Sequence, residues 1–150
     1  AVTNGLFYPL SRTSMRSITD GTSNTIMFSE IRLQMDNAGA PIGAGNVACG
    51  APHDLRGRYH NSYHGNSTFT TMRPPNTAVG DVMQYCQGTP NVPCRACSAG
   101  GIELHARSWH IGGVHATMAD GAVRFIGNNI NTAIFQGLGT ISGNETLGDF

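Results

Sequence analysis

Apolar and polar positions alternate most clearly near the end of the chain. Val114 to Met118 reads as one β-type run and Val123 to Ile126 as another, with Asp120-Gly121 between them. That order predicts a hairpin, because the turn needs positive φ and Asp-Gly tolerates it. Downstream, Ile130, Ala133, Ile134 and Leu138 recur at helical spacing. A short helix is therefore expected there, capped by Asn131 and stopped by Gly139. Upstream, Thr25 to Leu33 is apolar and β-leaning, with Ile26, Phe28 and Ile31 expected to face a core.

The remaining elements are shorter. Leu6 to Tyr8 reads as a strand, and Ser11 to Thr19 as a helix ended by a left-handed Gly21. Asp20 and Asn24 carry side chains suited to bonding nearby backbone. Residues 36–66 read as a long loop, and Ser67 to Met72 as a strand broken by Pro74-Pro75. Val79 to Ala99 reads as cysteine-bearing loops. Ile102 to Ala106 and Ser108 to His110 read as extended. The fold class expected is α+β and β-rich, with a small antiparallel sheet, two short helices and long loops in one domain over residues 1–150.

Composition sharpens this picture. Charged residues make up 12% of the chain, all nine basic residues are arginine, and 20 residues are glycine. Such a chain is turn-rich without being disordered. The formal net charge is zero, so no electrostatic footprint for nucleic acid exists. Little colloidal repulsion remains either, which suits self-association.

Cys49, Cys86, Cys94 and Cys97 lie in glycine- and proline-rich sequence. The lone C-x-x-C has no second copy at zinc-site spacing, so disulfides in an oxidising compartment are expected. Pairing is open; Cys86 with Cys94 and Cys49 with Cys97 is favoured, because a bridge inside C-x-x-C is tight.

Four motifs in order carry a family resemblance. His110 and Asp120-Gly121 form H-x9-D-G. Asp20-Gly21-Thr22-Ser23-Asn24-Thr25, followed by Glu30, forms D-G-T-S-N-T and a glutamate. Thr71 to Asn76 is proline-rich, and Leu138 to Phe150 ends in a glycine-glutamate stretch. The chain thus resembles a large pseudopilin-like family of unknown function, abundant in Planctomycetes and related bacteria. The resemblance implies a pilin-like C-terminal domain at the cell surface or outside the cell. It also implies assembly with copies of itself or other pilin-like subunits into a type IV pilus-like or type II secretion-like filament. Members begin with a prepilin leader and a helix of about 20 apolar residues. The sequence starts at Ala1, close to the Gly5-Leu6-Phe7 that precedes D-G-T-S-N-T in relatives, so it is expected to be the C-terminal part of such a protein. Membrane contact would run only through that helix. Asp20, Gly21, Thr22, Ser23 and Asn24 would build one tight loop; His110, Gly112, Gly113, Asp120 and Gly121 would build the hairpin.

Chemistry is the alternative use of these residues. His60 and His64 are spaced i, i+4, but Tyr-His-Asn-Ser-Tyr-His-Gly favours a turn. His110 and His115 are five apart, which on a strand places them on opposite faces. A structural role for His110, bonded to backbone groups, is therefore expected, and metal ligands stay unassigned. No cofactor is required by the sequence; calcium is a minor candidate, lacking a D-x-D-x-D pattern. No nucleophile elbow, P-loop or H-E-x-x-H is present, so no enzyme is expected. Tyr59, Tyr63, Tyr85 and Trp109 support an alternative: a surface module binding a glycan or another envelope protein.

Overall fold

The computed structural model describes residues 4–8, 10–35, 54–58, 67–96 and 101–144. In chain order the strands are β1 (Ile26–Ser29), β2 (Asp81–Val82), β3 (Cys94–Ala96), β4 (Gly113–Met118) and β5 (Val123–Gly127), followed by helix α1 (Thr132–Gly137). Short 3-10 turns occupy Met15–Ser17 and Thr22–Asn24. The chain divides into two compact units. One comprises Ala1–Glu30, Thr71–Asn76 and Ala106–Phe150; the other comprises Ile31–Thr70 and Thr77–His105. No described helix is long and apolar enough to cross a membrane.

The first unit holds a three-stranded antiparallel sheet in the order β1-β4-β5. Its hairpin forms as the sequence predicts. Gly121 takes φ +89°, its N–H donates to the Met118 carbonyl at 2.9 Å, and Asp120 Oδ1 accepts the Ala122 N–H at 2.9 Å. Val114, Ala116, Met118 and Ile126 are buried, with Ile26 from β1. Ile26, Val114, Met118 and Ile126 each contribute roughly 1.5–3 kcal/mol through burial.

α1 is capped as expected: the Asn131 side chain accepts the Ala133 and Ile134 N–H groups. Its buried face differs from the predicted one. Phe135 and Leu138 are fully buried, whereas Ala133 is exposed. Phe135 takes the core position beside Leu138, which is buried as the predicted stripe has it, while Ile134 is half-buried.

The second expected helix is not present. Only Met15–Ser17 winds, as a single 3-10 turn. The Ser14 and Ser17 hydroxyls bond each other and the turn's own backbone, and such local bonding competes with propagation of a short helix. Leu6 to Tyr8 is not a strand; Ser11 N–H bonds the Tyr8 carbonyl, closing a turn. Phe28 also departs from expectation and is 56% exposed. Ile26 pairs with Met118 but Phe28 pairs with Thr117, so a bulge at this point breaks the two-residue alternation. One inserted residue moves the next side chain to the other face.

The second unit is built on β2 and β3, which pair in parallel. Neither strand is visible in the sequence, since two or three residues carry no periodicity. The Cys86–Cys94 disulfide closes the intervening loop and packs with Leu55, Met83 and Tyr85. Cys49 and Cys97 lie outside the described residues. The Ser67 to Met72 strand reduces to one bridge, Thr70 to His105, while Glu103 and His105 bear out the extended reading of Ile102 to Ala106.

A buried ion cluster organises this unit. Arg56 pairs with Asp54 and Asp81, all three side chains being fully buried. The guanidinium also donates to the carbonyls of Gln87 and Val92. Desolvation alone would lower the Arg56 pKa. The hydrogen bonds and charges of Asp54 and Asp81 outweigh it and raise the pKa above arginine's ordinary value. The carboxylates are further held by backbone N–H groups of Gln87 and His105.

Candidate functional site

The D-G-T-S-N-T loop is a clasp. Gly21 adopts φ +98° ahead of the Thr22–Asn24 turn, rather than ending a helix. The Asn24 N–H donates to the Gly21 carbonyl at 3.0 Å, and the Asn24 amide donates to the Asp20 carbonyl at 3.4 Å. Asp20 does accept backbone amides, but remote ones. Its carboxylate receives the N–H groups of Gly143 at 2.7 Å and Asn144 at 3.0 Å, plus the Thr140 hydroxyl at 3.2 Å. Buried Thr25 donates to the Gly21 and Thr140 carbonyls. On its other side the loop meets the hairpin turn. The Thr22 and Thr25 carbonyls accept the N–H groups of Asp120 and Ala119. Ser23 sits half-buried inside the turn.

The hairpin's entry is shaped by its polar neighbours. Ser108 Oγ donates to the Gly113 carbonyl at 2.6 Å and accepts the His110 N–H at 3.0 Å. Gly112 takes φ +89°. Gly113 has no room for a side chain, since a Cβ there would lie 2.2 Å from the Ile126 carbonyl oxygen. Asn76, last of the proline-rich segment, fastens this turn: its amide accepts from Ser108 N–H and donates to the Gly113 carbonyl. Asn76 itself adopts φ +54°, a left-handed conformation that asparagine tolerates better than most residues. The sequence resemblance drew attention to the segment without showing this role.

The turn carries His110 back over the sheet, so the opposite-face expectation for His110 and His115 fails. Strand parity applies only within a strand, and β4 begins at Gly113. The two rings meet edge-on with centroids 4.6 Å apart. Nor is the His110 ring bonded to backbone as expected. Its Nε2 lies 3.1 Å from Oε1 of Glu30. The second Glu30 oxygen accepts the His115 N–H at 2.7 Å and lies 3.7 Å from His115 Nδ1. Glu30 is anchored at both backbone ends: its N–H donates to the His115 carbonyl, and its carbonyl accepts from Arg107. Glu30, His110 and His115 thus converge with their ligand atoms within 4.8 Å of one another.

The same sheet face also carries exposed apolar side chains. Phe28 lies opposite Thr117, and Thr117 opposite Val123; one row along, His115 lies opposite Phe125. Phe28, Val123 and Phe125 are 56%, 64% and 47% exposed. Phe7 stacks on Phe28 with centroids 5.8 Å apart, and Phe125 meets the edge of His115 at 5.2 Å. Trp109 and Ile111, flanking His110, are exposed as well. Tyr59, Tyr63, His60 and His64 lie outside the described residues, as does the rest of the aromatic loop.

Comparison with curated proteins and with solved structures gave no significant match. A family model does match, and it spans the clasp loop, the proline-rich segment, the hairpin and the start of α1. Residues 1–133 fit the family described as a protein of unknown function (DUF1559), and the chain belongs to that family.

Proposed function

We propose that this chain is a structural subunit, or a minor component, of a type IV pilus-like or type II secretion-like filament outside the cell. The observation that carries this reading is the open face of the β1-β4-β5 sheet. Phe7 and Phe28 on one side and Val123 and Phe125 on the other leave exposed apolar side chains flanking Thr117 and His115 on that face. Clustered exposed apolar side chains on a small protein mark an interaction site, and its natural occupants here are other pilin-like subunits. A chain with zero net charge sets no electrostatic barrier to such packing. The pseudopilin-like resemblance of H-x9-D-G and D-G-T-S-N-T points the same way, as does a scaffold spent on clasping loops together.

Electron microscopy of surface appendages from the producing cell, with antibody raised against this chain, tests the reading. Labelling along or at the tip of filaments is expected. Labelling should be lost in a strain carrying Phe28→Ser and Phe125→Ser, although that variant still folds. A protein found only as a free monomer outside the cell would overturn the proposal.

A further inference from the structure

We propose that Glu30, His110 and His115 form a binding site for a divalent transition-metal ion, with zinc the ion the donor set suits best. Two imidazoles and one carboxylate are a donor set characteristic of zinc sites with an open position. Tetrahedral ligands held about 2.0–2.1 Å from zinc lie roughly 3.3 Å from one another. His110 Nε2 lies 3.1 Å from one Glu30 oxygen and His115 Nδ1 lies 3.7 Å from the other, and one ligand atom from each of the three residues falls within 4.8 Å of the other two. Small rotations of the side chains close the site.

A surface ion pair is the simpler use of these groups, but it uses one ring for one carboxylate. Here two rings converge on Glu30, with their centroids 4.6 Å apart. A metal ion takes a ligand atom from each of the three side chains at once. The backbone prepares this arrangement, because Glu30 is tied at its N–H, its carbonyl and its carboxylate, and Ser108 with Gly112 sets the His110 turn. Calcium is a poor fit, since it needs six or more oxygen ligands. The side chains are 54%, 45% and 34% exposed for His110, His115 and Glu30. The fourth coordination position therefore faces solvent, open to water, an anion or a donor from another molecule.

X-ray absorption spectroscopy of the wild-type chain loaded with zinc tests the site without any variant. Two imidazole rings and oxygen in the inner shell are expected. A sulfur shell, a single imidazole, or no binding at millimolar zinc would overturn the proposal. Calorimetry then assigns the ligands. Glu30→Gln and His115→Gln should each raise the zinc Kd at least as much as the about 10–100-fold that losing an outer-shell partner costs. A His60→Ala, His64→Ala double variant should leave it unchanged; the reverse pattern would place the ion elsewhere. These outcomes do not depend on whether filaments form.

Discussion

Asp20 Oδ1 accepts the backbone N–H of Asn144 at 3.0 Å, joining positions 124 residues apart. The carboxylate is thus the pin of a clasp that also holds Gly143 and Thr140. Hydrogen bonds to a charged group contribute roughly 1.5–3 kcal/mol each when sheltered, and less at a surface. Asp20→Ala should therefore lower unfolding free energy by about 1–3 kcal/mol in urea titrations. The local consequence is sharper: amide exchange at Gly143 and Asn144 should accelerate before the hairpin amides respond. Unchanged exchange at those two positions would show that the segment is held by something other than Asp20.

Arg56 tests the second unit. Removing it takes the guanidinium away from two fully buried carboxylates. Breaking a buried pair from one side typically costs about 3–5 kcal/mol. Arg56→Met should fall in that range or prevent folding. Adding Asp54→Asn and Asp81→Asn to it should recover part of the loss, because the buried charges are gone. A further loss on adding them would mean that the carboxylates matter through backbone bonds to Gln87 and His105 instead. The folded-state pKa of Arg56 is raised, so its contribution is complete below arginine's ordinary pKa and is lost only as pH rises through the folded value. Stability owed to Arg56 should hence be flat across the neutral range, as pH-dependent denaturation midpoints of wild type and variant would show.

Two hairpin glycines should fail for different reasons. Gly121 has φ +89° and open space around the missing Cβ. Gly121→Ala meets only conformational strain, about 1–2 kcal/mol, and Gly121→Val somewhat more. At Gly113 a Cβ would sit 2.2 Å from a backbone oxygen of β5, so the strands must separate. Gly113→Ala should accordingly be the more damaging of the two alanine variants, although Gly113 is not left-handed. Thermal melts giving the opposite order would contradict the register of this hairpin.

Legibility in the sequence tracked the range of the interactions. Asp120-Gly121 and Asn131 were readable because turn and cap chemistry involve residues two or three apart. The partner of Asp20 was not, since nothing local marks Gly143 and Asn144 as its donors. Phe28 misled because a bulge shifts strand parity without a sequence signal, and the same parity rule, applied to a residue outside its strand, separated His110 from His115. Glu30 was visible as part of a motif, but its convergence with both rings depends on β1 lying beside β4. The Arg56 cluster had no spacing pattern at all. The one available hint was a chain so poor in charge that a buried ion triad uses three of its eighteen charged side chains.

The disulfide provides the last prediction. Cys86 and Cys94 are bridged across a sequence separation of 8, as favoured from the sequence, and both are buried beside Met83 and Leu55. Among the described residues, the unit around them has strands of only two and three residues, so covalent closure carries much of its order. Replacing both cysteines by alanine should cost roughly 2–4 kcal/mol, chiefly by freeing the unfolded chain. The loss should appear as earlier exchange and proteolysis in Asp81 to Ala96, while the hairpin of the first unit keeps its protection. Peptide mapping of unreduced protein should recover Cys86 linked to Cys94. The favoured partner for Cys49 is then Cys97, leaving close to no titratable thiol after unfolding without reductant. Recovery of Cys94 linked to Cys97 instead would overturn the pairing, and with it the explanation of how the β2–β3 loop stays closed.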